Sequence, residues 1–481
     1  MTEWLEAATK LVNAVDDIVW GIPLIAAILA TGVLLTILLR FRHLLHLGSA
    51  FRYVFHQGDG HHGEVTAFGA LCTALSATIG TGNIVGVATA ITTGGPGALF
   101  WMEVAALFGM ATKYAEGLLA VKYREVAADG RVLGGPFYYI ERGLGRRWKP
   151  LAIVFAVFGI GTGLFGTGTI TQVHGIVSAA QRFFDPGFNP ADPATGVTVL
   201  GGTYSAATII AGAVVTVCVG LVVIGGLKRI AKVSMVVVPF MAVSYVSLCL
   251  VVMIGNLDRL PAAIMLVVKA AFNPAAVTGG AVGTVFMAMQ KGIARGIFSN
   301  EAGLGSEPIA AAAAKTNEPS RQGFVSMTGT FIDTIVICTM TGLTIILSGA
   351  WDPALGLEGV NVTIEAFSRG GGFIPGGAAV MPFFLMTALA FFAFTTILGW
   401  NYYSEKCLEY LIGMHRQHIV KAYRLLYVAV VAVGPYLTIS MVWGIADIFN
   451  GLMAFPNLIA LVLLSPVVMR TTRDFLSRQK D

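Results

Sequence analysis

The sequence contains 481 residues, of which 56% are hydrophobic and only 12% are charged. A soluble domain carries about a quarter charged residues, so this composition and a mean hydropathy of +0.77 indicate an integral membrane protein. Disordered, collagen-like and coiled-coil chains are excluded, and five cysteines within apolar segments do not suggest a disulfide framework. The net charge of +5 does not indicate a nucleic-acid partner. The expected partner is the lipid bilayer.

Apolar segments long enough to cross a bilayer, about 20 residues each, recur along the whole chain. The first runs from about 20 to 39. Ten more follow, near 64–93, 95–121, 150–181, 203–226, 233–255, 281–312, 323–348, 379–411, 422–439 and 441–469. The sequence therefore predicts an all-α integral membrane protein with about eleven transmembrane helices.

Basic residues are distributed unequally between the two sets of connecting segments. One set holds 23 Lys and Arg, in loops such as 40–63 and 122–149, whereas the other set holds five. Because cytoplasmic loops carry the excess of Lys and Arg, we expect the N-terminus outside and the C-terminus inside a cell (inner) membrane. The long outer segment 349–378 contains an apolar stretch, 360–367, which we expect to form a lid over an outer vestibule.

Glycine interrupts the second predicted span about halfway along its length. Gly80 and Gly82 flank Thr81, and Asn83 follows. An unwound backbone at this depth is tolerated where it lines a cavity or is buried in protein, and its free carbonyls and N–H groups can bind a cation and a carboxylate. The alternative is a close packing face, since Gly82 and Gly86 form a small-xxx-small pair.

A similar glycine-rich and polar stretch, residues 290–305, interrupts the seventh span. Matching interruptions in two halves of a chain point to a transporter binding site. If spans 2–6 and 7–11 are five-helix repeats, their first helices run in opposite directions because five is odd. We therefore expect inverted 5+5 repeats and one extra N-terminal helix. The expected divisions are 1–63 (extra helix and basic loop), 64–255 and 256–469 (the repeats) and 470–481 (basic tail).

Polar side chains within other spans are further candidates for a site. Thr395 and Thr396 offer hard oxygen ligands for a small cation, although such hydroxyls also bond back to helix carbonyls. Trp400, one turn further along the same span, is expected to wall a small pocket. Gln172 is a neutral partner for a substrate's ammonium or carboxylate group, whereas His174 is more typical of packing.

Ionisable residues within spans are costly in lipid and are expected to face the interior or to pair. For Asp333 we expect an ion pair with Arg295 or Lys291. For Lys113 we expect a pair with Glu116, three residues further along the same helix. Glu301 also lies within a predicted span.

Several motifs resemble those of the alanine/glycine:cation symporter family, and the resemblance covers nearly the whole chain. They are Ile79–Gly86, Gly94–Met102, Ala105–Tyr114 and Gly292–Ser306. One departure is Glu103, at a position where the family usually carries Trp. The resemblance implies the fold of the neurotransmitter-sodium symporters and cotransport of alanine or glycine with sodium, or in some members with protons.

The resemblance also implies a substrate pocket and a sodium site when its motifs are carried over. The implied substrate-binding residues are Thr78, Gly80, Thr81, Gly82, Asn83, Gln172, Gly296, Phe298 and Trp400. The implied Na⁺ ligands are the carbonyls of Ser76, Ile79 and Phe392 and the hydroxyls of Thr395 and Thr396. Na⁺ would act as the coupling ion.

The leading hypothesis is sodium-coupled symport of alanine or glycine into the cell by alternating access. The alternatives are a proton-coupled amino-acid transporter of the same fold and an ion channel. The polar groups converge midway along the spans, and the sequence shows no ring of like charges typical of a selectivity filter. No nucleophile–base pair indicates an enzyme. The sequence does not define the preferred amino acid, the stoichiometry or the oligomeric state.

Overall fold

The computed structural model describes residues 2–56, 63–127, 130–190, 192, 195–199, 202–273, 285–413, 415–437 and 439–479. Most of these residues are helical. The α-helices in chain order are α1 Thr2–Val19, α2 Ile22–Leu38, α3 Arg42–Leu45, α4 Leu47–Phe55, α5 Ala67–Thr78, α6 Val87–Gly94, α7 Gly97–Lys122, α8 Pro136–Tyr138, α9 Lys149–Phe165, α10 Ile170–Phe184, α11 Ala206–Val223, α12 Leu227–Gly255, α13 Leu260–Phe272, α14 Val285–Asn300, α15 Pro308–Ala311, α16 Pro319–Thr330, α17 Thr339–Ser348, α18 Val360–Gly370, α19 Gly377–Ile412, α20 Gln417–Val433 and α21 Ile439–Arg478.

Shorter elements connect or extend these helices. Wide π-helical turns are found at Gly82–Gly86, Tyr139–Gly143 and Phe331–Cys338, and 3₁₀ turns at Arg146–Trp148, Pro353–Leu355 and Gly434–Tyr436. Two antiparallel hairpins lie in connecting segments, β1 Glu125–Val126 with β2 Val132–Leu133, and β3 Val197–Val199 with β4 Gly202–Tyr204. These hairpins are a small departure from the expected all-helical chain.

The helices confirm a membrane protein built from many apolar spans. Among the described residues, nine helical segments are long and apolar enough to cross a bilayer, and the bent pair α5–α6 makes ten. The predicted span 281–312 corresponds to α14 and α15, although its first residues lie outside the described part of the chain. The count of eleven, the inverted repeat and the domain boundaries stay predictions. Helix α21 continues to Arg478, into the segment expected to be a tail.

Close helix packing depends on small residues. At the crossing of α7 and α16, a methyl group on Gly117 would lie 2.4 Å from the Ser326 hydroxyl, and one on Gly323 would lie 2.7 Å from the Tyr114 carbonyl. Distances this short leave no room for a Cβ atom. Glycine therefore lets the backbones of two membrane helices approach each other.

The first interruption is present where the sequence predicts it. Helix α5 ends at Thr78, Ile79 adopts an extended conformation (φ −74°, ψ 98°), and the chain resumes as a helix from Gly82. The two helical parts are bent by 55° relative to each other. The backbone around Gly80 is therefore outside any regular helix and is wholly buried.

The second interruption begins where α14 ends. Glu301 has a positive φ of 56°, and Gly303 and Gly305 follow with φ of 89° and 84°. Glycine tolerates this region without steric cost, whereas a residue such as Glu rarely adopts it. The Asn300 side chain accepts a hydrogen bond from the Ala302 N–H at 2.9 Å, which supports the turn out of the helix.

Candidate functional site

The unwound segment between α5 and α6 redirects backbone groups that a continuous helix would use internally. The N–H of Gly80 donates to the Asn83 side chain at 2.9 Å. The N–H of Thr81 donates to Oε1 of Gln172 at 3.3 Å. In a continuous helix these two N–H groups would bond the carbonyls of Ser76 and Ala77. Those carbonyls are therefore left without these helical donors.

Two threonines of α19 meet this segment. Oγ1 of Thr396 lies 3.1 Å from the Ile79 carbonyl oxygen and 3.0 Å from that of Phe392. Oγ1 of Thr395 lies 3.0 Å from the same Phe392 carbonyl and 3.4 Å from the Met241 sulfur. Four of the five oxygens implied as Na⁺ ligands are thus grouped at one end of the unwound segment. The fifth residue, Ser76, lies one turn earlier and is wholly buried.

A methyl group at Gly80 could not be accommodated here. It would lie 2.6 Å from Oγ1 of Thr396 and 3.2 Å from Oε1 of Gln172. Glycine at this position therefore permits the unwound backbone and also the contact between α5 and α19. Among the site residues, this is where the requirement for glycine is clearest.

A small cavity borders the unwound segment, and Thr396 is among the residues that line it. Six of the nine implied substrate-binding residues line it, namely Thr78, Gly80, Gly82, Gln172, Phe298 and Trp400. In this conformation its volume of about 10 Å³ has room for about one water molecule. Trp400 is wholly buried, and its indole N–H donates to Oε1 of Glu301 at 3.0 Å. The cavity is therefore enclosed by aromatic walls and contains a buried carboxylate.

The other three implied residues lie elsewhere. Thr81 faces a larger opening, and its hydroxyl is buried without a hydrogen-bond partner. The side chain of Asn83 donates to Asp333 at 2.8 Å. Gly296 packs against α7, where an added methyl group would lie 3.0 Å from the Met102 side chain. Asn83 and Gly296 thus lie outside the lining of the small cavity and contact the elements that surround it.

The expected ion pairs within the spans are wrong. Asp333 accepts hydrogen bonds from Asn83, Ser299 and Thr334, at 2.8, 2.9 and 2.8 Å respectively, in place of an ion pair with Arg295 or Lys291. Because Asn83 belongs to the first interruption and Ser299 lies in the last turn of α14, just before the second, Asp333 joins the two. The sequence shows the carboxylate, but its neutral partners are distant along the chain.

Lys113 forms its ion pair with Glu307 rather than with Glu116. The distance from its Nζ to Oε2 of Glu307 is 2.8 Å, and both side chains are buried. Glu307 follows the second interruption, so this pair attaches α7 to that segment. Helical spacing predicts contacts between residues of one helix only. It therefore could not predict an ion-pair partner almost 200 residues away.

A wide vestibule of about 770 Å³ leads toward the small cavity. Residues 356–360 form part of its wall. Of the stretch 360–367 that was expected to form a lid, Val360 lines the vestibule, and the lid itself stays a prediction. Phe298 and Gly82 line both the vestibule and the small cavity, so they lie at the boundary between the two. The guanidinium of Arg295 lies 5.5 Å from the centre of the Phe298 ring. His174 faces the same vestibule and contacts Ser178 at 3.0 Å.

Glu301 is the lining residue whose role the sequence did not indicate. It follows α14 directly and combines the positive φ described above with the contact to Trp400. A carboxylate within a glycine-rich interruption is the signal that could have identified it. Its partner could not be inferred, since Trp400 is 99 residues further along the chain.

A bundle of apolar helices with two interruptions facing a buried polar site defines the class of the protein as a membrane transporter. The particular family follows from sequence comparison. The model of the sodium:alanine symporter family matches residues 5–481. The chain therefore belongs to the sodium:alanine symporter family.

Individual proteins show similarity over nearly the whole chain. A protein of Haemophilus influenzae named only as a transporter is 51% identical over 472 residues, covering 98% of this chain and 97% of its own. The sodium/alanine symporter AgcS of Methanococcus maripaludis is 44% identical over 472 residues, covering 97% of each chain.

One solved structure is similar to this chain in fold. The crystal structure of MhsT in complex with L-phenylalanine matches with a TM-score of 0.51 and 13% identity, covering 87% of this chain and 100% of that one. This likeness supports the fold of the neurotransmitter-sodium symporters that the sequence motifs imply.

Proposed function

We propose that this protein is a sodium-coupled symporter that carries small neutral amino acids, alanine or glycine, into the cell. Family membership and the name of the M. maripaludis relative support this substrate class and this ion. The observation that carries the proposal is the position of Thr396. Its hydroxyl bridges the Ile79 carbonyl of the unwound segment and the Phe392 carbonyl of α19, directly beside the small cavity.

Oxygen atoms arranged in this way suit a small, hard cation. Na⁺ would replace the hydroxyl-to-carbonyl hydrogen bonds with direct coordination by Ile79, Phe392, Thr395 and Thr396, with Ser76 as the fifth proposed ligand. Because the same segment also borders the small cavity, an ion at this position would hold the unwound backbone in its binding conformation. Sodium and substrate would then bind cooperatively.

The substrate would lie in the small cavity after a modest opening of its walls. Its carboxylate would approach the backbone N–H groups at the start of the helical part beginning at Gly82, where the helix dipole is positive. Gln172 supplies a neutral side chain, and Phe298 and Trp400 limit the space for the substrate side chain. Thr78, Thr81, Asn83 and Gly296 complete the proposed set.

The charge distribution supports the proposed orientation in the membrane. We place the protein in the inner membrane with its N-terminus outside and its C-terminus in the cytoplasm, since the basic loops are then cytoplasmic. The vestibule opens on the face that carries residues 356–360. In this orientation it is extracellular.

Counterflow in proteoliposomes tests the ion and the substrate together. Liposomes preloaded with unlabelled alanine or glycine should accumulate the labelled amino acid in sodium and much less in lithium or under an imposed pH gradient. Exchange supported by a pH gradient alone, without sodium, would favour the proton-coupled alternative. Conductance far above the turnover of a carrier would indicate a channel.

A further inference from the structure

Three carboxylates and one lysine are buried together beside the second interruption. Glu116, Glu301 and Glu307 are 1–3% exposed, and Lys113 is fully buried. All three carboxylates interact electrostatically with Lys113. Lys113 and Glu116 lie in the second half of α7, which is the cytoplasmic half in the proposed orientation. The group therefore extends from the small cavity, which Glu301 lines, toward the cytoplasm.

The charges of this group do not balance. If all four residues were ionised, one positive charge would face three negative charges in the interior of a membrane protein. A buried charge without compensation costs several kcal/mol. Either a proton or a cation must therefore reduce the excess negative charge.

The hydrogen bonds identify the carboxylate that is stabilised least as an anion. Glu307 has the ion pair with Lys113. Glu301 accepts hydrogen bonds from Ser306 on one oxygen and from the Trp400 indole on the other. Oε1 of Glu116 accepts one hydrogen bond from Asn457 at 2.6 Å, but its Oε2 is buried with no hydrogen-bond partner.

We propose that Glu116 is a proton-binding site, protonated on Oε2 in this conformation, and that it releases the proton when the cytoplasmic half of the protein opens. On release the O–H bond breaks, the proton passes to a water molecule, and the carboxylate remains beside Lys113. This proposal rests on the proposed transport function and adds a proton to the ions that the transport cycle handles.

Contacts of Asn457 connect this carboxyl group to a segment expected to rearrange. The Asn457 amide donates to Glu116 and also, at 2.9 Å, to the carbonyl of Gly303 in the second interruption. Tyr139 donates to the same Asn457 side chain. Movement of the interruption would therefore disturb Glu116 and admit water to it. Among the described residues, the ionisable groups that face Glu116 are Lys113 on α7, Glu307 beside the interruption, Tyr139 in the wide turn after α8, and Tyr403 on α19. Glu301 interacts with Lys113.

Direct detection of protons is the first test. Wild-type protein in proteoliposomes with a pH-sensitive dye should move protons during sodium-driven alanine uptake. The isosteric Glu116→Gln variant should bind alanine in sodium but move no protons. As the pH rises, the alanine affinity of the wild type should fall, by up to about tenfold per pH unit once the proton is lost, whereas that of Glu116→Gln should stay constant.

A carboxyl group elsewhere on the same helix provides the matched control. Both oxygens of Glu103 are buried without hydrogen-bond partners, but this residue lies in the opposite half of α7. Glu103→Gln should keep the coupled proton movement. Wild-type uptake without proton movement would overturn the proposal, and so would proton movement that survives in Glu116→Gln.

Thermal unfolding in detergent separates this proposal from the proposed function. A proton held more tightly in the folded protein than in the unfolded chain stabilises the fold at low pH, and this stability is lost as the pH rises. The Tm of the wild type should therefore fall relative to that of Glu116→Gln as the pH is raised. Parallel Tm curves would overturn the proton site. Failure of sodium-driven uptake in the wild type would instead contradict the proposed function and leave this measurement valid.

Discussion

Trp400 is the largest side chain that encloses the small cavity. It is wholly buried, and its indole N–H bonds Glu301. Trp400→Ala should weaken alanine binding by up to about 3 kcal/mol, because a buried aromatic wall is lost, and should admit larger amino acids such as leucine. Binding of labelled alanine and leucine to purified protein measures both effects.

An exposed tryptophan controls for general effects of the substitution. Trp148 lies in a connecting segment and is 37% exposed, so Trp148→Ala should leave both affinities unchanged. If Trp400→Ala keeps wild-type alanine affinity and still excludes leucine, Trp400 does not line the substrate site.

Thr395 and Thr396 provide the side-chain oxygens of the proposed sodium site. A single interaction with a charged group contributes about 1.5–3 kcal/mol, so the Thr395→Ala/Thr396→Ala double variant should need at least about tenfold more sodium for half-maximal alanine uptake. The double variant is more decisive than either single one, since water can replace one oxygen. Sodium titration of uptake is the measurement.

Thr387 offers a control on the same helix. It is half-buried, and its hydroxyl donates to the Phe383 carbonyl four residues earlier at 2.9 Å. Thr387→Ala should therefore leave the sodium dependence unchanged. A folded double variant with the sodium dependence of the wild type would exclude the assignment of both threonines.

Glycine substitutions in the interrupted element formed by α5 and α6 are expected to impair sodium binding to different degrees. A methyl group on Gly80 would lie 2.6 Å from Thr396, one on Gly82 would lie 3.3 Å from the backbone of Ser299, and one on Gly86 would meet nothing within 4 Å. Gly80→Ala should therefore abolish substrate-dependent sodium binding, Gly82→Ala should weaken it, and Gly86→Ala should preserve it. Alanine also favours a continuous helix by about 1 kcal/mol relative to glycine.

Melting temperature and alanine affinity measured on the same samples separate two roles for these glycines. A role in binding predicts normal melting temperatures with lost affinity, whereas a role in helix packing predicts lower melting temperatures with normal affinity. If Gly80→Ala and Gly82→Ala both retain stability and affinity, the unwound segment is not part of the site.

Sequence patterns predicted elements better than the contacts between them. The interruption at Gly80 could be predicted because adjacent glycines and polar residues are unusual in an apolar span. The contacts of Asp333 with Asn83 and of Lys113 with Glu307 could not, since each joins residues about 190 to 250 positions apart. Hydrophobic patterning reports which face of a helix is buried but does not identify the helix that covers it.

At the scale of the whole molecule, the vestibule should change its exposure during transport. Thr93 is an exposed residue that lines the vestibule. With an N-terminus outside, a cysteine at Thr93→Cys should react with a membrane-impermeant thiol reagent added outside intact cells. Sodium and alanine together should slow this reaction, because alternating access closes the outer side while the inner side is open.

Two exposed positions on predicted opposite faces complete this experiment. Asp258 lies in a connecting segment predicted to be outside, and Ser477 lies near the C-terminus, predicted to be inside. Asp258→Cys should react from outside at a rate that sodium and alanine do not alter, whereas Ser477→Cys should react only after the cells are opened. The exposed native Cys218 should first be replaced by serine.

Labelling of Ser477→Cys in intact cells would reverse the proposed orientation. An unchanged rate at Thr93→Cys in sodium and alanine would argue against closure of the vestibule, and with it against alternating access through this opening.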